Sequence, residues 1–167
     1  MGSKSKILYF SVLIVNVICF ILDLLPINFP FFRVSFGVSL ILIGLLLIVR
    51  SVNYKIDSSL FFGVILMLFG VLNLVLYFGQ TKFGMDPNEL WPYYLFAVAV
   101  GSFVTYVVFK DKIQFKIFIL FLGFGLITLL FVRHLLILWV YITLMIVWFI
   151  VYFTINIIIN RRKRSVR

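Results

Sequence analysis

The sequence predicts an all-α, polytopic membrane protein. It has six transmembrane helices arranged as three outward-closed helix hairpins, N-in/C-in, in a single transmembrane domain. Three observations lead there. The chain divides into apolar blocks close to the ~20 residues that a helix needs to cross a bilayer. Of its 167 residues, 65% are hydrophobic and only 12% are charged, whereas soluble domains run about 45–50% apolar and about 25% charged. A chain of this size cannot bury so much apolar surface in its own core, so lipid must cover it. Finally, the basic residues gather in alternate connections, as the cytoplasmic bias of lysine and arginine requires.

The clearest elements are the blocks 60–78 and 91–109, set around a polar connection with Asp86, Pro87, Asn88 and Glu89. Leu90-Trp91-Pro92 brings the chain back into the membrane, and Trp91 suits the headgroup level. The first span covers residues 7–25. Lys4 and Lys6 precede it as in a signal peptide, but it runs into Asp23-Leu24-Leu25-Pro26 with no small-x-small cleavage site, so it is expected to stay uncleaved. Cys19, the single cysteine, is a small packing residue there. Pro26 and Pro30 end the span, because proline cannot continue a helix interior.

The second span, 31–49, carries Arg33 near its start, the pair Ser35 and Ser39, and Gly37 and Gly44 one heptad apart. The third repeats the device with Gly63 and Gly70, then Asn73. Small residues let helix backbones approach where lipid supplies no hydrophobic drive for association. The fourth has Ala97 and Gly101. Residues 117–159 are almost unbroken; as one helix they would reach about 65 Å at 1.5 Å per residue, twice the hydrocarbon thickness. The charged interruption Arg133-His134 is where this run turns, giving spans 117–132 and 135–159.

Charge orients the spans. With the N-terminus in the cytoplasm, every lysine and arginine except Arg33, Lys82 and Arg133 falls on the cytoplasmic side. The net charge of +10 is therefore read as topology and contact with anionic lipids at the cytoplasmic face. No groove-reading motif accompanies it, so nucleic acid is not an expected partner.

The first helices of the three hairpins overlay without gaps: Asn16-Val17-Ile18-Cys19 on Gly70-Val71-Leu72-Asn73 and on Gly125-Leu126-Ile127-Thr128. Each has a small or polar residue at i and i+3, on one helix face. The middle hairpin, Gly63-Val64-Ile65-Leu66-Met67-Leu68-Phe69-Gly70-Val71-Leu72, an outer loop and Leu90-Trp91-Pro92-Tyr93-Tyr94-Leu95-Phe96, resembles the LiaI/LiaF-like transmembrane region of bacterial envelope proteins. The shared features are a first helix with glycines seven apart, a Trp-Pro return and a glycine in the second helix, here Gly101. The likeness covers mainly residues 60–110. The asparagine-rich run usual after the family's first helix is replaced by Tyr77-Phe78-Gly79-Gln80. The resemblance implies a bacterial cytoplasmic membrane and a regulatory or accessory protein that holds a signalling partner until the envelope is stressed. It implies no catalysis.

Chemistry has few candidates. His134, the one histidine, stands beside Arg133 at the outer surface, and a lone histidine makes no metal site without other ligands. Asp86 and Glu89 could jointly hold a cation, but a solvated turn, with Glu89 in the first turn of the fourth span, is the favoured reading. Asn16, Asn73 and Asn156 read as inter-helix hydrogen bonders. Asp23 is ionisable and within a span, where charge is costly. Its expected partner is Arg33 or Arg133. No P-loop, HExxH or GxSxG occurs and no cofactor is expected.

The expected function is that of a non-enzymatic subunit acting through helix packing with a membrane partner or in a homo-oligomer. A small transporter or channel lined by Asn16, Asn73 and Thr128 is the alternative. A membrane enzyme on a lipid substrate, using Asp86, Glu89 or His134, is a third. The topology predicts that reporters fused after Asn53, Asp111 and Ser165 read cytoplasmic, and those after Asn28, Met85 and Arg133 read external. An external signal at Ser165 would refute six spans.

Overall fold

The structure is a computed structural model. It describes the backbone of residues 3–24, 31–83, 86–133 and 137–165, and side chains within 10–24, 31–80, 86, 89–133 and 137–157. Among the described residues the chain forms six helices: α1 (Ser3–Asp23), α2 (Phe31–Tyr54), α3 (Asp57–Phe83), α4 (Pro87–Phe109), α5 (Lys112–Val132) and α6 (Leu138–Ser165). Five contain stretches long and apolar enough to cross a membrane: Phe31–Tyr54, Asp57–Gln80, Glu89–Phe109, Lys112–Val132 and Leu138–Ile157. The apolar stretch of α1, Phe10–Asp23, is shorter. This fits a multi-pass integral membrane protein. The prolines Pro26 and Pro30, and His134, lie outside the described residues.

Among the described residues, each helix packs only against its neighbours in sequence. The side-chain pairings run antiparallel throughout. Asn16 meets Ser39 between α1 and α2, Phe69 meets Tyr94 between α3 and α4, Phe103 meets Phe118 between α4 and α5, and Phe131 stacks on Tyr141 between α5 and α6. The helices thus form an open row. The alternation puts Asp23, Arg33, Glu89 and Arg133 at one end of it, and Arg50, Lys55, Lys110, Lys112 and Lys116 at the other.

The closest pair is α2 with α3. A Cβ on Gly70 would lie 2.5 Å from the carbonyl oxygen of Gly37, and one on Gly44 would lie 2.6 Å from the carbonyl oxygen of Gly63 and 2.7 Å from the Met67 nitrogen. These are backbone atoms that cannot swing aside. The two heptad-spaced glycine pairs therefore face each other, main chain on main chain. A seven-residue spacing keeps such a stripe in register along a left-handed crossing. The same stripe continues to the turn, where Ser51 is fully buried and its hydroxyl donates to the Ile56 carbonyl at 2.6 Å.

The next closest pair is α4 with α5. Gly125 lies under the Phe96 ring, where a Cβ would come within 3.0 Å. Gly101, on α4, meets Ile65 and Phe61 of α3, and Ala97, Ala99, Ser102 and Thr105 are buried. The tightest pairs are thus those joined through the basic turns. The contacts within the expected outward-closed hairpins α1–α2 and α5–α6 are looser. The reason is local: each basic turn is only two residues long, and across the first the glycines of α2 and α3 match, while across the second Gly125 takes the Phe96 ring. Gly70 and Gly125 both face the preceding helix, whereas Asn16 faces the following one.

Both basic turns use the same device. Lys55 (φ 53°) and Lys110 (φ 58°) adopt the left-handed conformation just past the ends of α2 and α4, a position where glycine is usual. Lys110 N–H donates to the Tyr106 carbonyl at 2.7 Å. Asp111 then caps α5, accepting from Ile113 N–H at 2.9 Å. At the far end α5 stops at Val132, with Arg133 as its C-cap.

Substitution Gly70→Leu should lower thermal stability in detergent by at least the ~1–3 kcal/mol typical of overpacking, while Leu72→Ile, which conserves volume, costs well under ~1.5 kcal/mol. Equal melting of the two variants would show that the Gly37–Gly70 contact holds nothing.

Candidate functional site

The most developed polar cluster joins α1 to α2. Asn16 donates through Nδ2 to Ser39 Oγ at 2.7 Å and to the Val12 carbonyl at 2.8 Å, and its Oδ1 accepts from Ser35 Oγ at 3.2 Å. The local sequence explains this arrangement. Ser35 and Ser39 are one helical turn apart on α2, so both hydroxyls reach a single amide on the facing helix. Both amide N–H donors and the oxygen of Asn16 have partners, so the residue acts as a clamp between the two helices.

One helical pitch or more from that clamp, Asp23 Oδ2 accepts from the backbone N–H of Phe32 at 3.0 Å. The carboxylate therefore sits at the N-terminus of α2, where unpaired N–H groups and the helix dipole favour negative charge. This corrects the expected pairing with Arg33 or Arg133. Among the described residues no ion pair joins Asp23 to either, and both arginines are exposed. A backbone N–H of the very next helix is simply nearer than a long side chain that can extend into water. The Phe20 and Phe32 rings close the same corner edge to face, 5.6 Å apart.

The remaining candidates do not converge. Gly63 and Gly70 are spent on α2. Asn73 is half-buried on α3. Thr128 is fully buried in α5. Among the described residues α1, α3 and α5 make no mutual contact, so Asn16, Asn73 and Thr128 are not brought together within one chain. Asp86 and Glu89 are exposed at the start of α4, where Glu89 lies in the first turn and its N–H donates to the Asp86 carbonyl at 3.0 Å. Trp91 is exposed one turn on, and Pro92 is buried. Arg133 ends α5, and His134 is outside the described residues. Among the described residues no three His, Cys, Asp or Glu side chains gather to hold a metal.

Two features escape sequence reasoning. Gly123 makes room for the Trp148 indole, which would overlap any Cβ there, and Trp148 Nε1 donates to the Leu120 carbonyl at 3.2 Å. Beside this lock, α5 and α6 leave a cleft of about 270 Å³. A glycine two residues before Gly125 in an otherwise bulky apolar run was the available signal, but nothing in it pointed to an indole from the next helix. No known protein family, curated protein or solved structure matches the chain.

The Asp23 cap predicts that Asp23→Ala costs about 1 kcal/mol of stability, the usual value of a lost N-terminal cap. A double-mutant cycle of Asp23→Asn with Arg33→Gln should be additive within about 0.5 kcal/mol. Clear coupling would restore the ion pair and remove the cap.

Proposed function

We propose that this chain is a non-enzymatic accessory or regulatory subunit of the bacterial cytoplasmic membrane. It crosses the bilayer six times with both termini in the cytoplasm, and works by packing helices against a membrane partner. The observation that carries the reading is the openness of the row. Among the described residues the outer helices α1 and α6 each touch one neighbour, and no residue in the apolar stretch Leu138–Ile157 of α6 is buried. Its exposed side chains include Trp139, Ile146 and Ile150. A helix held by a single neighbour contributes little to holding its own chain together and much surface to something else.

Two further points support it. The polar groups of the Asn16 clamp and the Asp23 cap are used to join helices, which is what a packing protein needs and what a catalyst does not. The segment 60–110 resembles the LiaI/LiaF-like region, which suggests a signalling partner controlled by envelope stress. The end of the row bearing Arg50, Lys55, Lys110, Lys112 and Lys116 is then the cytoplasmic end, and α1 is the sixth span.

A photo-crosslinking residue at Ile150, in the native membrane, is expected to give a discrete adduct with a second membrane protein, while one at buried Ala99 gives none. A stable homo-oligomer with a polar axis, and no hetero-adduct, would favour the transporter or channel reading. Adducts with lipid alone from both sites would end the partner hypothesis.

A further inference from the structure

The cleft between α5 and α6 is not used by that reading. Its walls are Ile119 on one helix and Val151 and Ile155 on the other, and the Trp148 ring also lines it. At one end only, the lining becomes cationic, with Lys112 and Lys116. These two are one turn apart and so lie on the same face of α5. The cleft is therefore amphiphilic along its length, apolar for most of it and positive at the mouth.

Its dimensions are informative. Trp148 is fixed at the level of Leu120 and Gly123 by its hydrogen bond and by the missing Cβ. From Lys112 to Leu120, where the indole is hydrogen-bonded, the helix rises about 12 Å at 1.5 Å per residue. One leaflet of a bilayer contributes about 15 Å of hydrocarbon, half of a core of about 30 Å. The cleft thus runs from its cationic mouth through most of the depth of one leaflet, with the indole among the residues at its inner end.

We propose that this cleft holds one acyl chain of an anionic phospholipid, with its phosphate group taken by Lys112 and Lys116. The charge of the mouth favours an anionic headgroup over a zwitterionic one, and clustered basic residues at a helix end are the usual receptors for such lipids. A soluble anion would gain nothing from the apolar walls, and a neutral lipid nothing from the lysines. The acidic residue nearest in sequence, Asp111, is occupied as the cap of α5. The inference stands apart from the identity of any protein partner.

The chain has three tryptophans, and Trp91 and Trp139 lie toward the opposite end of the row. The W91F/W139F variant therefore reports from Trp148 alone. It is reconstituted in phosphatidylcholine bilayers containing a low, equal fraction of phosphatidylglycerol or phosphatidylcholine brominated at mid-chain. Brominated phosphatidylglycerol is expected to quench at least twice as strongly, with the preference fading in high salt. K112Q/K116Q should abolish the preference, and K112R/K116R should keep it, with melting temperatures showing that all variants are folded. R50Q/K55Q removes equal charge from another turn at the same end and should leave the preference intact. Equal quenching by the two lipids in the unaltered background would overturn the proposal. So would a loss with R50Q/K55Q as large as with K112Q/K116Q, since that would mean general surface attraction only.

Discussion

The contact of main chain on main chain between α2 and α3 sets the terms for the rest of the molecule. Inside a bilayer, apolar side chains gain nothing by leaving lipid for protein, so helices hold each other by close dispersion contact and by hydrogen bonds. Gly37 and Gly44 against Gly70 and Gly63 bring two backbones to the limit of approach, and dispersion attraction weakens steeply with even a small gap. Around this pair the packing falls off unevenly: α4 with α5 is next closest, then α3 with α4, and the end helices α1 and α6 are held most loosely. The α3 helix receives α4 through Gly101, and α4 receives α5 through Phe96 and Gly125. At the two ends of the row α1 and α6 rely on a few specific contacts, namely the Asn16 clamp, the Asp23 cap and the Trp148 lock.

That gradient explains which parts were legible in the sequence. Helix positions followed from block length and from the breaks between blocks. The Gly63 and Gly70 stripe announced a packed face, because only close approach gives glycine a purpose in a helix of good formers. What the stripe did not contain was the identity of the helix that covers it. A small face on α3 is compatible with α2 or α4, and the choice depends on matched spacing in a second helix and on a short turn. Asp23 shows the same limit more sharply. Charge complementarity pointed to arginine side chains, yet the winning partner is a backbone N–H, a group that every residue but proline carries and that no sequence pattern marks. The Trp148 lock was hidden for a different reason. An indole and a glycine on different helices form a shape match, and shape has no periodicity.

Polar residues in this chain divide by depth. Several of those within the row are bonded inside the protein: Asn16 to Ser35 and Ser39 on the facing helix, Ser51 to the Ile56 carbonyl, Thr105 to the Gly101 carbonyl of its own helix. Those at the helix ends, such as Arg33, Glu89 and Arg133, stay exposed. A membrane protein that satisfies most of its inner polar groups internally, Thr128 Oγ1 and Asp23 Oδ1 being exceptions here, loses little by leaving its flanks apolar, because lipid or another helix can cover them equally well. The surface of α6 is suited to exchange between the two coverings.

The left-handed lysines carry a consequence of their own. A non-glycine residue in that conformation costs roughly 1–2 kcal/mol, and glycine at the same place would relieve the cost. Lys55 and Lys110 both accept the strain, and both keep a positive charge at the tightest point of a turn between two spans. Orientation in the membrane is decided while the chain is being inserted, before the helices have packed. The same two residues thus oppose the folded state slightly and guide its assembly, so a variant with glycine at both turns would gain stability once folded and lose certainty about which way to face.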